Sequence, residues 1–303
     1  MGCGHLLNLS SNVRKMTTID VKNLTPLRYP GGKGKLAHFI SDCVKANGLS
    51  NGTYVEPYAG GAAVALYLLL HGDVKNIVIN DLDRGIYAFW WSVLNATDEL
   101  CHLVQTTPIT IEERERQRVV QQNKDAADLL SLGFSTLFLN RVNRSGIITA
   151  GVIGGKNQTG KWKMDARFNR VELIKRIRTI AAQKERIALF NKDCVDLISS
   201  LQLDDNTLIY YDPPYYAQGS SLYTNFYKKE DHESLAHFIQ KTPAKWVLTY
   251  DMHEKILEFY RGSTVKTLNL SYSATTRRRA DEIIAFSPGF LIPKVTSKSI
   301  SIQ

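Results

Sequence analysis

The chain reads as an α/β protein built on a parallel sheet and interrupted by a basic segment of helices and loops. Three observations predict this. Short apolar runs of strand length alternate with helical runs near the start and again over the second half. Two of the strands end in turns made of Gly or Pro, Glu56-Pro57-Tyr58-Ala59-Gly60-Gly61 and Asp212-Pro213-Pro214-Tyr215. Between residues 97 and 185 the alternation stops and the composition becomes basic.

The elements follow in order. A Gly-rich turn leads into a helix over 35–48. Thr53 to Glu56 is a short strand stopped by Pro57. Ala62 to Leu70 is a helix that begins with small residues, where it packs closely. Asn76 to Asn80 is a second strand with an Ile-Val-Ile core, and Arg84 to Leu94 a helix carrying Trp90 and Trp91. Residues 110–140 are helical, charged at first and then apolar through Leu129, Leu130, Phe134 and Leu137. Residues 143–162, rich in Gly, Asn, Ser, Thr and Lys, form a loop. From Arg141 to Arg186 there are twelve Lys and Arg against three Asp and Glu. Strands then fit at 187–190, 207–211, 245–250, 264–268 and 282–286, with helices near 194–201, 230–241 and 253–260. The organisation expected is an arm over 1–20, one α/β domain from 21–96 and 186–303, and an insert over 97–185.

Composition narrows the functional classes. With 303 residues, 44% of them hydrophobic, the chain is long and apolar enough for a full core. The apolar run Ala62 to Leu70 is too short to cross a bilayer, and no secretory signal is visible. The four cysteines (Cys3, Cys43, Cys101 and Cys194) are scattered without a C-x-x-C pair, which points to reduced thiols in a cytoplasmic protein. His232 and His237 lie five apart, off a common helical face, and no metal is expected. The net charge of +9 favours a polyanionic partner, nucleic acid above all.

Two motifs carry chemistry. In Val55-Glu56-Pro57-Tyr58-Ala59-Gly60-Gly61-Ala62, between a strand and a helix, the glycines allow a tight turn and close approach of backbone to a ligand. Asp81, twenty residues beyond Gly61, sits at the end of the second strand, where an acid accepts hydrogen bonds from ribose hydroxyls. The turn lacks a full G-x-G-x-x-G, and Glu56 sets a negative charge beside it. Both points suit a cationic sulfonium nucleoside better than a dinucleotide pyrophosphate.

Asp212-Pro213-Pro214-Tyr215 follows the apolar strand Leu208-Ile209-Tyr210-Tyr211, and ligands of open α/β sheets bind outside the carboxyl ends of strands. The prolines stiffen the backbone and lack N–H donors, so their carbonyls face outward as acceptors. A carboxylate and a prolyl carbonyl, each accepting one N–H, would draw an aromatic amine toward tetrahedral geometry and stabilise the charge that grows on it. The ring of Tyr215 offers a platform for a base.

With these residues the chain resembles the Dam-type, alpha-group DNA adenine N6-methyltransferases, closer to prophage-type members, from Leu27 to Pro288. The resemblance implies a Rossmann-like sheet that uses S-adenosylmethionine, with a helical and loop insert for DNA recognition. It implies cofactor roles for Tyr29 and Lys33, in Leu27-Arg28-Tyr29-Pro30-Gly31-Gly32-Lys33, and for Glu56, Pro57, Gly60, Gly61, Asp81, Asp193 and Asp212. Asp212, Pro213, Pro214 and Tyr215 would be catalytic. Thr249-Tyr250-Asp251, Tyr272-Ser273-Ala274 and Glu282 match later structural motifs of the family. The family more often has Trp or Phe where Tyr29 stands. The loop with Asn143-Arg144-Ser145-Gly146 and Gly154-Gly155-Lys156 departs from enzymes of the GATC type and leaves the target sequence open.

A duplex base reaches such a pocket only by flipping out. The expected grip on double-stranded DNA is Arg141, Asn143, Arg144, Lys156, Lys161, Lys163, Arg167 and Arg170, with Arg277 and Arg278 as a second cluster. A cognate restriction endonuclease or defence partner would fit the resemblance, as would a bacterial or phage source. Two rival readings remain: cytosine N4 methylation, where Ser usually replaces Asp212, and a catalytically idle binding subunit, against which Asp212, Tyr215 and Lys33 argue.

Overall fold

A computed structural model describes residues 24–29, 33–216, 227–270, 282–295 and 300–303. The expected arm over 1–20, Pro30 to Gly32, the Tyr272-Ser273-Ala274 motif, and the cluster with Arg277 and Arg278 lie outside them. Eight strands are described: β1 (Thr53–Glu56), β2 (Asn76–Asn80), β3 (Ile187–Phe190), β4 (Thr207–Tyr211), β5 (Lys245–Asp251), β6 (Thr264–Leu270), β7 (Glu282–Phe286) and β8 (Ile300–Ile302). They form one sheet in the order β3-β2-β1-β4-β5-β7-β6-β8. The first five are parallel, as their alternation with helices predicts. β7 runs antiparallel between β5 and β6, and β8 pairs antiparallel with β6.

The helices are α1 (Ala37–Ala46), α2 (Ala63–His71), α3 (Arg84–Asn95), α4 (Thr97–Thr106), α5 (Ile111–Gln122), α6 (Leu129–Val142), α7 (Arg170–Ala181), α8 (Cys194–Ser200), α9 (Lys229–Lys241) and α10 (Glu254–Phe259). The period-two pattern of the strands divides the core. Tyr54, Ile77, Ile79, Leu208, Tyr210 and Val247 face α1, α2, α3 and α6. Their alternates Val55, Val78, Ile209, Tyr211, Trp246 and Leu248 face α8, α9 and α10. With both faces covered, β4 and β7 are buried along their whole length, which is why each reads as an apolar run after its first residue.

The expected helix over 110–140 is two helices. Asn123 closes α5 and the Asp128 carboxylate accepts from Ser131 N to open α6, so two polar caps break what apolar spacing alone joined. Sequence reading also passed over α4, α7 and β8. Residues 97–185 share the core of the α1–α3 face: Leu100, Val104, Phe138, Phe168, Leu173 and Ile177 join the cluster that contains Tyr54 and Ile77. α6 is buried from Leu132 to Val142 and crosses α3 closely, with Ser92 Oγ donating to the Leu129 carbonyl at 3.1 Å.

Gly133 makes that crossing possible. A Cβ there would stand 2.4 Å from Ser92 Oγ and 2.5 Å from the Ala88 carbonyl oxygen, and backbone does not yield cheaply. Gly133→Ala is therefore expected to lose about 1–3 kcal/mol, read as a lower Tm in thermal unfolding; an unchanged Tm would show that the two helices have room to part.

Candidate active site

β1 sits where the chain reverses its direction of travel across the sheet, with β2 on one side and β4 on the other. Ligands bind in the crevice at the carboxyl ends of such strands. A cavity of about 800 Å³ opens there, lined by Glu56 from β1, Asp81 after β2, Asp193 after β3 and Asp212 after β4. Tyr29, Lys33, Pro57, Gly61, Pro214 and Tyr215 also line it.

The turn after β1 is built by neighbours far away in sequence. Gly60 has φ +47°, and a Cβ there would meet the Tyr29 ring at 2.8 Å, so the turn needs glycine for conformation and for room. Trp90 Nε1 donates to the Gly60 carbonyl at 2.9 Å. Asn80 Nδ2 donates to the carbonyls of Pro57 (2.8 Å) and Lys192 (3.0 Å), tying the turns after β1 and β3 together.

The carboxylates differ in environment. Glu56 Oε1 accepts from Tyr54 Oη (3.1 Å) and from Ala65 N (3.1 Å). Burial nevertheless pushes its carboxyl up to about 8, against those bonds, with the charge of Asp212 adding to the rise. Asp81 accepts from Gly60 N (2.9 Å) and Asp83 N (2.9 Å). Burial, then the charge of Asp83, raises it to about 7. Asp193 Oδ1 caps α8 by accepting from Val195 N at 2.8 Å.

Asp212 is held by an ion cluster. Its Oδ1 accepts from Thr249 Oγ1 at 2.8 Å and lies 3.5 Å from Lys33 Nζ. Lys33, 5% exposed, also donates to Glu282 Oε2 (3.0 Å) and to Tyr215 Oη (2.7 Å). Tyr215 Oη donates in turn to Glu282 Oε1 at 2.6 Å. Burial raises the Asp212 carboxyl above the usual range; Lys33 opposes the rise and Glu282 adds to it. Lys33, expected only against the cofactor, thus joins the catalytic motif as well. Thr249 and Glu282 had been read as structural; the one signal for Glu282 was an acid heading the otherwise apolar run Ile283-Ile284-Ala285-Phe286. Tyr58 and Tyr227, whose hydroxyls are 2.9 Å apart, were missed because the residues between them give no local pattern.

Three of the expected DNA contacts have partners inside the fold. Arg141 is buried and donates through Nε (2.7 Å) and Nη2 to the Pro26 carbonyl. Asn143 is buried too, its Nδ2 donating to the Ile147 (3.3 Å) and Ile148 (2.7 Å) carbonyls and its Oδ1 accepting from Arg114 Nε. Arg170 donates to the Val104 carbonyl and, at 2.7 Å, to that of Thr107, closing the end of α4. All three satisfy carbonyls that lack a helix or sheet partner, a demand invisible until the chain is folded. Arg144, Lys156, Lys161, Lys163 and Arg167 are exposed.

Residues 29–274 match the D12 class of N6 adenine-specific DNA methyltransferases. The chain is 24% identical over 291 residues to the DNA adenine methylase of Escherichia coli (strain K12), covering 90% of this chain and 98% of that protein. It is 23% identical over 269 residues to the Type II methyltransferase M.MjaIII of Methanocaldococcus jannaschii, covering 79% and 89%. It is 22% identical over 241 residues to the Type II methyltransferase M.CviBI of Paramecium bursaria Chlorella virus NC1A, covering 78% and 86%. The chain belongs to the D12 class of N6 adenine-specific DNA methyltransferases. It methylates adenine in DNA, and membership implies S-adenosylmethionine as the methyl donor. Among the described residues no helix is long and apolar enough to cross a membrane.

The residues present suit that donor. Burial, with a neighbouring carboxylate, holds Glu56 and Asp81 above the usual carboxylate range, and a ligand carrying a sulfonium, an ammonium and ribose hydroxyls would favour their ionised forms. Their values lie above those of the unfolded chain, so the ligand-free protein loses stability as pH rises from the ordinary carboxylate range through about 7 to 8. Ligand binding should release protons and tighten over that interval. Calorimetric titration with S-adenosylmethionine at neutral pH, in buffers of different ionisation heat, measures this; no net proton release would mean that neither carboxyl meets the ligand.

Proposed function

We propose that Asp212, Pro213, Pro214 and Tyr215 form the edge on which a flipped adenine is methylated, with exposed basic residues of 144–167 holding the duplex. The observation that carries this reading is the Asp212 carboxylate on the cavity wall, with Oδ1 taken by Thr249 and Lys33. Oδ2 is then the acceptor for one N6–H of adenine, and a carbonyl of the Pro213-Pro214 pair the acceptor for the other. Two such bonds pull the nitrogen lone pair out of conjugation with the ring and offset the positive charge that develops on N6. S-adenosylmethionine, when bound, supplies a methyl carbon made electrophilic by the adjoining sulfonium. As N6 gains that methyl it becomes acidic, and its proton passes to Asp212 or to water. A carboxyl whose affinity for protons is raised by burial suits that duty. The Tyr215 ring, tied by its hydroxyl to Lys33 and Glu282, forms a wall for the base.

The cofactor cradle is Tyr29, the turn Glu56, Pro57, Gly60 and Gly61, and the acids Asp81 and Asp193. Lys33 borders both cofactor and base. Ile147 and Ile148 line the cavity, and the loop that continues from them carries Lys156, Lys161 and Lys163. Trp162, passed over in the sequence, is 65% exposed in that loop, with Lys161 Nζ 5.8 Å from its ring centroid. An aromatic ring among lysines suits stacking on an unpaired base, with phosphates held alongside. Arg144 and Arg167 complete the basic face. The Type II relatives favour an endonuclease that cuts the same sequence as partner, and protection of methylated DNA from it is the readout.

Incubation with labelled S-adenosylmethionine and unmethylated duplex should yield N6-methyladenine on nucleoside analysis; N4-methylcytosine would favour the rival chemistry. Asp212→Ala should lower turnover by a factor on the order of 1,000 or more with DNA affinity little changed, and retained turnover would remove its assigned role. Lys161→Ala with Lys163→Ala should flatten the salt dependence of DNA binding by about 0.9 in slope per lost phosphate contact. An unchanged slope would place the duplex elsewhere.

A further inference from the structure

Glu282 is the first residue of β7, an acid at the head of a strand otherwise made of Ile283, Ile284, Ala285 and Phe286. It is 3% exposed and lies opposite Asp251 in the antiparallel register. A carboxylate so deep is costly unless paired, and an apolar residue would complete the strand at less expense. Its two oxygens have separate partners: Oε2 takes Lys33 Nζ at 3.0 Å and Oε1 takes Tyr215 Oη at 2.6 Å. Lys33 Nζ and Tyr215 Oη are themselves bonded at 2.7 Å, which closes a ring of three groups. Asp212 joins the ring only through the ammonium, at the longer distance of 3.5 Å.

The unequal distances imply a division of labour. The ammonium rests on Glu282 and is shared, at longer range, with Asp212. Without the Glu282 charge, Asp212 would be the nearer of the remaining carboxylates in this cluster, and Lys33 would close on it. A fully paired Asp212 would be a weaker acceptor toward an amine, and the Tyr215 hydroxyl would lose its anchor. We infer that Glu282 is a positioning residue for methyl transfer: it draws the Lys33 ammonium and the Tyr215 hydroxyl to itself, so that Asp212 stays a strong acceptor and the Tyr215 ring stays in place. This rests on the reading of Asp212 as the N6–H acceptor.

The test compares Glu282→Gln, which keeps the shape and removes the charge, with the unaltered protein in single-turnover methyl transfer over a range of pH. Among the described residues the titratable groups facing Asp212 are Lys33, Glu282, Tyr210, Tyr54, Tyr250 and Glu56. Glu56 is raised as well, but it is present in both proteins. The expected result is a rate on the plateau lowered about 10-fold to 100-fold, with the Kd values for cofactor and DNA each within about threefold. Removing a negative charge beside Asp212 lowers its proton affinity, so the acidic limb of the profile should move to lower pH. Glu282→Asp should recover part of the rate. Because Glu282 acts in part through Lys33, combining Glu282→Gln with Lys33→Gln should cost less than the product of the two separate losses, a comparison that holds even where Glu282→Gln alone lowers stability. A plateau rate within threefold of the unaltered protein, an unmoved acidic limb, or multiplicative losses in the double variant would overturn the inference. An active Asp212→Ala would instead overturn the role of Asp212 itself. An inactive Asp212→Ala together with an innocuous Glu282→Gln would overturn only the role of Glu282.

Discussion

A single buried ammonium organises the catalytic end of this molecule. Lys33 lies before α1, Asp212 and Tyr215 follow β4, and Glu282 opens β7, yet the four polar groups meet within hydrogen-bond or ion-pair reach. Among the described residues the Lys33 ammonium is shared by two carboxylates, Asp212 and Glu282. Burial, before any neighbouring charge, raises the affinity of Asp212, Glu56 and Asp81 for protons, and acids so placed suit the cavity to a positively charged donor and to an amine that becomes positive as it reacts.

The segment over 97–185 is wired into the same site. Asn140, on α6, accepts from Arg28 N at 2.7 Å and donates to the Arg28 carbonyl at 2.8 Å, while Arg141 holds the Pro26 carbonyl. These bonds fix the segment that carries Tyr29, and the Tyr29 ring lies against Gly60 in the turn after β1. Asn140 also holds the Gly146 carbonyl at 2.8 Å, at the root of the loop that carries the exposed lysines. One amide side chain therefore joins the root of the lysine-bearing loop to the segment that borders the turn after β1. A displacement of that loop has a direct mechanical route to the turn, through α6.

Two of the arginines of this region serve the fold itself, for a physical reason. Arg141 and Arg170 present several donors in a fixed fork and are spent on backbone carbonyls inside the fold. Lys156 and Lys161 keep compact, strongly hydrated charges and stay in solvent. Arg144, Lys163 and Arg167 are exposed as well, so burial removes Arg141 from the solvent-facing positive charge of this region.

Local sequence determined a great deal. Strand and helix alternation, the glycine turn after β1 and the Pro-Pro turn after β4 depend on backbone preferences and on spacing within a few residues. They were legible for that reason, and with them Glu56, Asp81 and Asp212 as groups at strand ends, while Asp193 came only through the family resemblance. What depends on atoms far apart in the chain was decided by tertiary structure alone. The break between α5 and α6 comes from two polar caps that an apolar pattern does not register. The burial of Arg141 and Asn143 follows from carbonyls that other segments leave unpaired. The partnership of Lys33 with Glu282 spans 249 positions, and no local preference encodes it; only the pairing of β7 beside β5 brings that acid to the cavity.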